Sequence, residues 1–219
     1  MNVLILCEYS GVVRSAYRAR GFNAFSCDIL PDETGSQYHY RCDAFELLCR
    51  GYPIDHIVAH PPCTHILNTG IRWIYKGGRK SNGLDIQRLA NLVDGARFFR
   101  DLWNTCRELY PKASLAFENP VMAGYAKDLI GIGNQAQTVQ PWWFGDKKVK
   151  ATCWWLHNLP LLEKTNDVGP PPKEGEPDYK NWAEVHHMSP GKDRGKRRSK
   201  FYPGMAKAMA EQWCRGALA

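Results

Sequence analysis

No stretch of this sequence is apolar for long enough to span a bilayer, and no charged leader precedes the first apolar run, which starts at Asn2. A membrane-embedded or exported chain is therefore not what the sequence predicts. None of its 8 cysteines forms a Cys-x-x-Cys pair, and no Cys/His spacing resembles a zinc site. Cysteines so scattered, without a leader, predict reduced thiols, no metal and a cytoplasmic protein. In that setting most cysteines fill the core and one occasionally serves as a nucleophile. There is no internal repeat, which excludes solenoids and propellers.

What is present is ordinary globular material with a basic excess. Hydrophobic residues make up 44% of 219 residues, enough for one domain with a sizeable core and a small appendage. The net charge of +7 favours an anionic partner, and nucleic acid is the commonest. The same charge also serves solubility alone, so it selects no function by itself.

Short apolar runs alternate with helical patterns through roughly the first 130 residues. Val3 to Cys7, Asn23 to Cys27, His56 to His60 and Leu115 to Phe117 read as strands. Val12 to Arg20 and Ala44 to Cys49 read as helices. The clearest helix carries Leu89, Leu92, Val93, Ala96, Phe99, Leu102, Trp103 and Cys106 at a 3.6-residue period. This alternation predicts an α/β fold with a doubly wound, mostly parallel sheet, whose ligands sit at the carboxyl ends of the strands. Three polar clusters fall at those ends: Ser10-Gly11, Pro61-Pro62-Cys63 and Glu118-Asn119-Pro120. Beyond Gln135, Thr138 to Phe144 and Ala151 to Leu156 read as strands. Glu163 to Ser199 reads as a long irregular segment, and Met205 to Trp213 as a last helix.

The two prolines before Cys63 make a stiff turn, which holds a nucleophile in one place. Pro61-Pro62-Cys63 followed by Glu118-Asn119-Pro120 resembles the nucleophile loop and acid motif of the cytosine-C5 DNA methyltransferases. Lys200 to Ala210 is similar to the end pattern of short, phage-type members of that family. The resemblance covers most of the chain through four or five separated motifs, each weak alone. It implies a Rossmann-like class I methyltransferase that uses S-adenosylmethionine and acts on DNA. Residues 1–135 and 200–219 would form the catalytic domain, and 136–199 a reduced target-recognition segment with relaxed sequence preference.

By that resemblance Cys63 is the catalytic nucleophile, which attacks carbon 6 of cytosine and so makes carbon 5 reactive. Glu118 assists at ring nitrogen 3, and Asn119 shapes the turn. The target base must leave the duplex stack to be reached. The cofactor would meet Tyr9, Ser10 and Gly11, with Pro61 beside it, Asp28 on the ribose and Asp43 on the adenine amino group. This chain has Gly11-Val12-Val13 where the family has a further glycine, and Cys7 where it often has an acid. Arg72, Lys76, Arg79 and Lys80, interleaved with Trp73 and Tyr75, would meet DNA. So would Arg197 and Arg198 in the basic run from Lys192 to Lys200, broken by Asp193. Gln140, Lys148 and Lys150 fall where the family sets groups that touch the base.

Three other readings stay open on the sequence. One is methylation of an amino group on adenine or cytosine, against which stands a cysteine where an aromatic ring should stack. A second is a nucleic-acid-binding protein without turnover. The third is an enzyme that transfers a variant group or modifies free pyrimidine nucleotides. For each residue the plainer role is structural: a buried thiol at Cys63, a helix-capping carboxylate at Glu118, solvated aspartates and a solvated basic loop.

Overall fold

Along the first strand, β1 (Asn2–Leu6), side chains alternate between two buried layers. Val3 and Ile5 join one hydrophobic cluster, while Leu4 and Leu6 join another. A strand buried on both faces belongs in the middle of a sheet covered by helices, and β1 occupies that position. The computed structural model describes residues 1–189, 191 and 194–214. Lys192 and Asp193 of the basic run lie outside the described residues.

Seven strands form one sheet in the order β3-β2-β1-β4-β5-β7-β6. They are β1, β2 (Asn23–Asp28), β3 (His39–Arg41), β4 (His56–Ala59), β5 (Ser114–Pro120), β6 (Gln137–Val139) and β7 (Thr152–His157). All neighbours pair in parallel except β7, which runs antiparallel to both β5 and β6. The helices α1 (Val12–Ala19) and α8 (Pro203–Gln212) pack on one face. The helices α2 (Ala44–Leu48), α3 (Ile86–Leu109) and α4 (Gly124–Ile130) cover the other. The fold is thus α/β, mostly parallel and Rossmann-like in layout. The strand order turns outward at β1 and β4, which opens a crevice at their carboxyl ends.

Several sequence expectations need correction. The strand expected over Thr138 to Phe144 ends at Val139 and gives way to a 3-10 turn over Pro141–Trp143. Pro141 has no N–H to continue the ladder. The segment expected to be irregular contains three short helices, α5 (Tyr179–Trp182), α6 (Glu184–His187) and α7 (Arg194–Ser199). β3 and α4 are too short to leave a periodic signal. β6 and β7 fall within the segment 136–199 yet complete the main sheet, and α8, beyond it, packs on the sheet's face.

The helix ends show how the chain is pinned. Asp43 and Asp85 cap α2 and α3 by accepting main-chain N–H groups. The start of α1 is held differently. The buried Glu8 carboxylate accepts from Val13 N at 2.6 Å and Arg14 N at 3.1 Å. Gly11 stands at φ +70°, where a Cβ would lie 2.3 Å from the Arg14 guanidinium. Arg14 is itself buried and bonds Asp32 at 2.7 Å, Ser26 at 2.6 Å and Thr34 at 3.1 Å.

Removing one partner of such a pair strands the other charge. Arg14→Ala is therefore expected to cost about 3–5 kcal/mol in urea unfolding. Burial pushes the Asp32 carboxyl up, but Arg14, Thr34 and Ser36 outweigh it and hold it well below its usual value. A depressed acid stabilises the fold above the ordinary aspartate pKa of about 3.9. That share is lost as the pH falls through the depressed native value. Unchanged stability in Arg14→Ala, or an acid limb unaltered by Asp32→Asn, would contradict this.

Candidate functional site

β4 and β5 are neighbours, with Ala59 opposite Phe117. One residue further on, His60 and Glu118 therefore stand side by side, and His60 Nδ1 lies 3.2 Å from Glu118 Oε2. β4 ends there because Pro61 cannot donate to the ladder. β5 continues to Pro120 because β7 pairs along it, with Glu118 opposite Trp154. Glu118 is thus held by the sheet on one side and by His60 on the other, with its side chain buried. Asn119 Nδ2 donates to Pro61 O at 3.1 Å, which ties the end of β5 to the turn that carries Cys63.

Polar capacity is left over at this point. His60 Nε2, Glu118 Oε1 and Asn119 Oδ1 are buried without a hydrogen-bond partner in the structure. Buried polar atoms are nearly always paired, so the spare atoms of the bonded pair His60 and Glu118 suit a polar ligand edge, whereas Asn119, the next residue along β5, points to the opposite face of the sheet. The rings of Phe201 and Trp154 wall His60, with centroids at 4.9 and 6.4 Å. A cavity of about 300 Å³ opens beside the Pro61-Pro62-Cys63 turn, lined by Pro62, Thr64, His65, Asn91, Asp94 and Gly95. A second, of about 220 Å³, lies at the amino end of the strands near Asn2, Asn23 and Tyr52, away from this chemistry.

Charge distinguishes Cys63 from Glu118. Burial, then the nearby Glu118, pushes the half-buried Cys63 thiol up, against a downward pull from Lys150 and Arg198. Burial also pushes Glu118 up, but Lys150 and the His60 bond and charge hold its carboxyl below the usual value. The resting site therefore pairs a neutral thiol with an ionised carboxylate. Glu118→Gln removes the like charge, so Cys63 should then titrate lower. Iodoacetamide at pH 7.5 should alkylate Cys63 about 3- to 10-fold faster in this variant, since the thiolate is the nucleophile. An equal or slower rate would show that Glu118 does not govern the thiol.

The residues expected at the cofactor end separate into two groups. Asp28 and Asp43 lie at the carboxyl edge, each with Oδ1 engaged by main-chain N–H groups: Leu30 for Asp28, Phe45 and Glu46 for Asp43. Ile29 beside Asp28 is 69% exposed, an aliphatic face next to the carboxylate. Cys7, between them and the crevice, adopts φ 59°, an uncommon conformation for a non-glycine residue. Tyr9 and Ser10 spend their side chains internally. The Tyr9 hydroxyl lies 2.8 Å from Lys196 O and 2.9 Å from Ser199 Oγ, and Ser10 Oγ donates to Glu8. Gly11 is required by Arg14, and Pro61 is buried under Asn119.

Arg72, Lys76, Arg79 and Lys80 are exposed on a loop of 3-10 turns between Asn68 and Asn82, where Arg72 packs 4.8 Å over the Trp73 ring. Arg197 is exposed on α7, and Arg198 is half-buried and turned electrostatically toward Cys63. Gln140 Oε1 accepts from Lys150 N at 3.2 Å, so it positions the residue whose charge reaches Glu118. Lys148 is paired with Glu184 and Asn181 O.

Sequence reasoning missed Glu8 and His60. The signal for Glu8 was an acid in the turn ahead of a helix. The signal for His60 was a polar residue between a buried strand and Pro-Pro. Among the described residues, no three His, Cys, Asp or Glu side chains gather as a metal site, and no helix is long and apolar enough to cross a membrane. No protein-family model matches the chain, and no curated protein matches it.

Proposed function

We propose that this protein is an S-adenosylmethionine-dependent DNA methyltransferase that acts at carbon 5 of cytosine through Cys63. The observation that carries the reading is the convergence of the Cys63 turn with Glu118 and His60 at two adjacent strand ends, where Glu118 Oε1 and His60 Nε2 are buried without a partner and Asn119 ties the strand end to the turn. The doubly wound sheet supports it, because the crevice of such a sheet is where class I methyltransferases would bind.

The cofactor edge fits an adenosine. Asp28 has a second carboxylate oxygen for ribose hydroxyls, Ile29 offers an apolar face to a ring, and Asp43 has an oxygen for an amino group. The loop from Cys7 to Gly11 would contribute main chain rather than side chains. When bound, S-adenosylmethionine supplies the electrophilic methyl group.

The protein's own residues would then act in order. The Cys63 proton passes to the Glu118 carboxylate, so the pair keeps one negative charge throughout. The thiolate adds to carbon 6, and the proton on Glu118 moves to ring nitrogen 3 as electron density arrives there. Once carbon 5 carried the methyl group that S-adenosylmethionine would supply, solvent water would take the carbon 5 proton, the carbon 6–sulfur bond would break with its electrons returning to Cys63 as thiolate, and the nitrogen 3 proton would return to Glu118. Lys150 and His60 keep Glu118 ionised until that exchange. Asn119 would hold the Cys63 turn against β5 through its bond to Pro61 O. The exposed basic and aromatic groups of the 68–82 loop suit the phosphates and the unstacked bases that an extruded nucleotide leaves behind.

The test is incubation of the protein with duplex DNA and S-adenosylmethionine, followed by digestion and mass spectrometry of the nucleosides. 5-Methylcytosine is expected. A methylated amino group, or no modified base, would reject the reading.

A further inference from the structure

We propose that Cys27 and Cys42 form a reversible disulfide that takes a hydroperoxide as its oxidant. The two thiols face each other across the edge of the sheet, where β2 pairs with β3. Cys27 lies on β2, opposite Tyr40, and Cys42 is the first residue past β3. Their sulfurs are 3.9 Å apart, and the Cys27 thiol also reaches Cys42 O at 3.4 Å. Both are free, with Cys27 buried and Cys42 partly exposed. A disulfide needs about 2.05 Å between sulfurs. β3 is an edge strand of three residues, the part of the sheet that can yield most cheaply.

The exposures assign the order of events. The Cys42 sulfur takes one oxygen from the hydroperoxide. The O–O bond breaks, an alcohol or water leaves, and Cys42 becomes a sulfenic acid. Burial and the neighbouring Cys42 keep the Cys27 thiol protonated until then. The Cys27 sulfur attacks the Cys42 sulfur, the S–O bond breaks, and the hydroxyl leaves as water with the Cys27 proton. Two thiols lose two electrons and two protons, and the hydroperoxide gains them.

Each cysteine is followed directly by a carboxylate, Asp28 or Asp43, and Asp43 also caps α2. Closing the sulfurs by nearly 2 Å pulls on both carboxylates at once. If they hold an adenosine, oxidation should weaken its binding at least about 10-fold, the effect of one lost charged hydrogen bond. That consequence rests on the proposed function, whereas the disulfide itself does not.

Reduced full-length protein would be treated with one equivalent of hydrogen peroxide and examined by intact-mass and peptide mapping. The expected product is lighter by two hydrogen atoms, joins the Cys27 and Cys42 peptides, and reverts with dithiothreitol. Cys42→Ser, a mild change at a partly exposed site, should remove the link, and so should Cys27→Ala. An unchanged mass, or a link through Cys7 or Cys106, overturns the proposal. Oxidation at Cys63 adds oxygen instead and is separated by mass. Calorimetry with S-adenosylmethionine then distinguishes the two ideas. No binding by the reduced protein rejects the cofactor reading and leaves the disulfide standing. Equal binding by both forms rejects control of that site by the disulfide.

Discussion

Cys63→Ser should lower formation of 5-methylcytosine by at least about 10⁴-fold, because the loss falls on the group that forms the covalent bond. A serine hydroxyl fits the same space, but it is far less acidic than a thiol, so the Glu118 carboxylate that takes the Cys63 proton would not generate an alkoxide. The side chain is only partly buried, so thermal unfolding should move little. The measurement is product per enzyme at saturating DNA, by nucleoside mass spectrometry. Retention of more than a tenth of wild-type product would exclude covalent attack by this thiol. It would move the reading to methylation of an exocyclic amino group.

Glu118→Gln should reduce product about 10²- to 10⁴-fold, the range for loss of a positioned acid or base. Faster alkylation of Cys63 and slower methylation in one variant would be a telling combination. The lost like charge would favour the thiolate at equilibrium, yet the variant would have no carboxylate to take the Cys63 proton during turnover or to pass one to the ring nitrogen. His60→Asn should act through Glu118 and move the pH profile of product formation more than it changes the DNA concentration for half-saturation. A Glu118→Gln enzyme that keeps full turnover would leave the carboxylate with a purely structural place beside the β5–β7 ladder.

Much of the scaffold was legible because it depends on local rules. The continuous apolar runs at β1, β4 and β5 and the 3.6-residue stripe of α3 each signal a parallel α/β layout. Pro61-Pro62 marks a stiff turn regardless of its surroundings. The 138–144 strand failed at Pro141 because a β-branched and aromatic pattern says nothing of where a ladder loses its donor. That β6 and β7 join the main sheet was not legible, because strands of a main sheet and strands of an insertion share one two-residue period. At Gly11 the motif shows only that a glycine is present, and the close approach of the Arg14 guanidinium, which excludes a Cβ there, comes from the tertiary structure.

The sequence by itself determined that this is an α/β chain with a cysteine and a carboxylate at strand ends, since periodicity and turn chemistry are written within a few residues. Only the tertiary structure decided that those strands are neighbours and that His60 falls beside Glu118. It also decided that Lys150 reaches the carboxylate and that Cys27 meets Cys42. Each of these follows from register and sheet order, set by packing among residues distant in the chain. Local patterns carry no record of which element lies next to which.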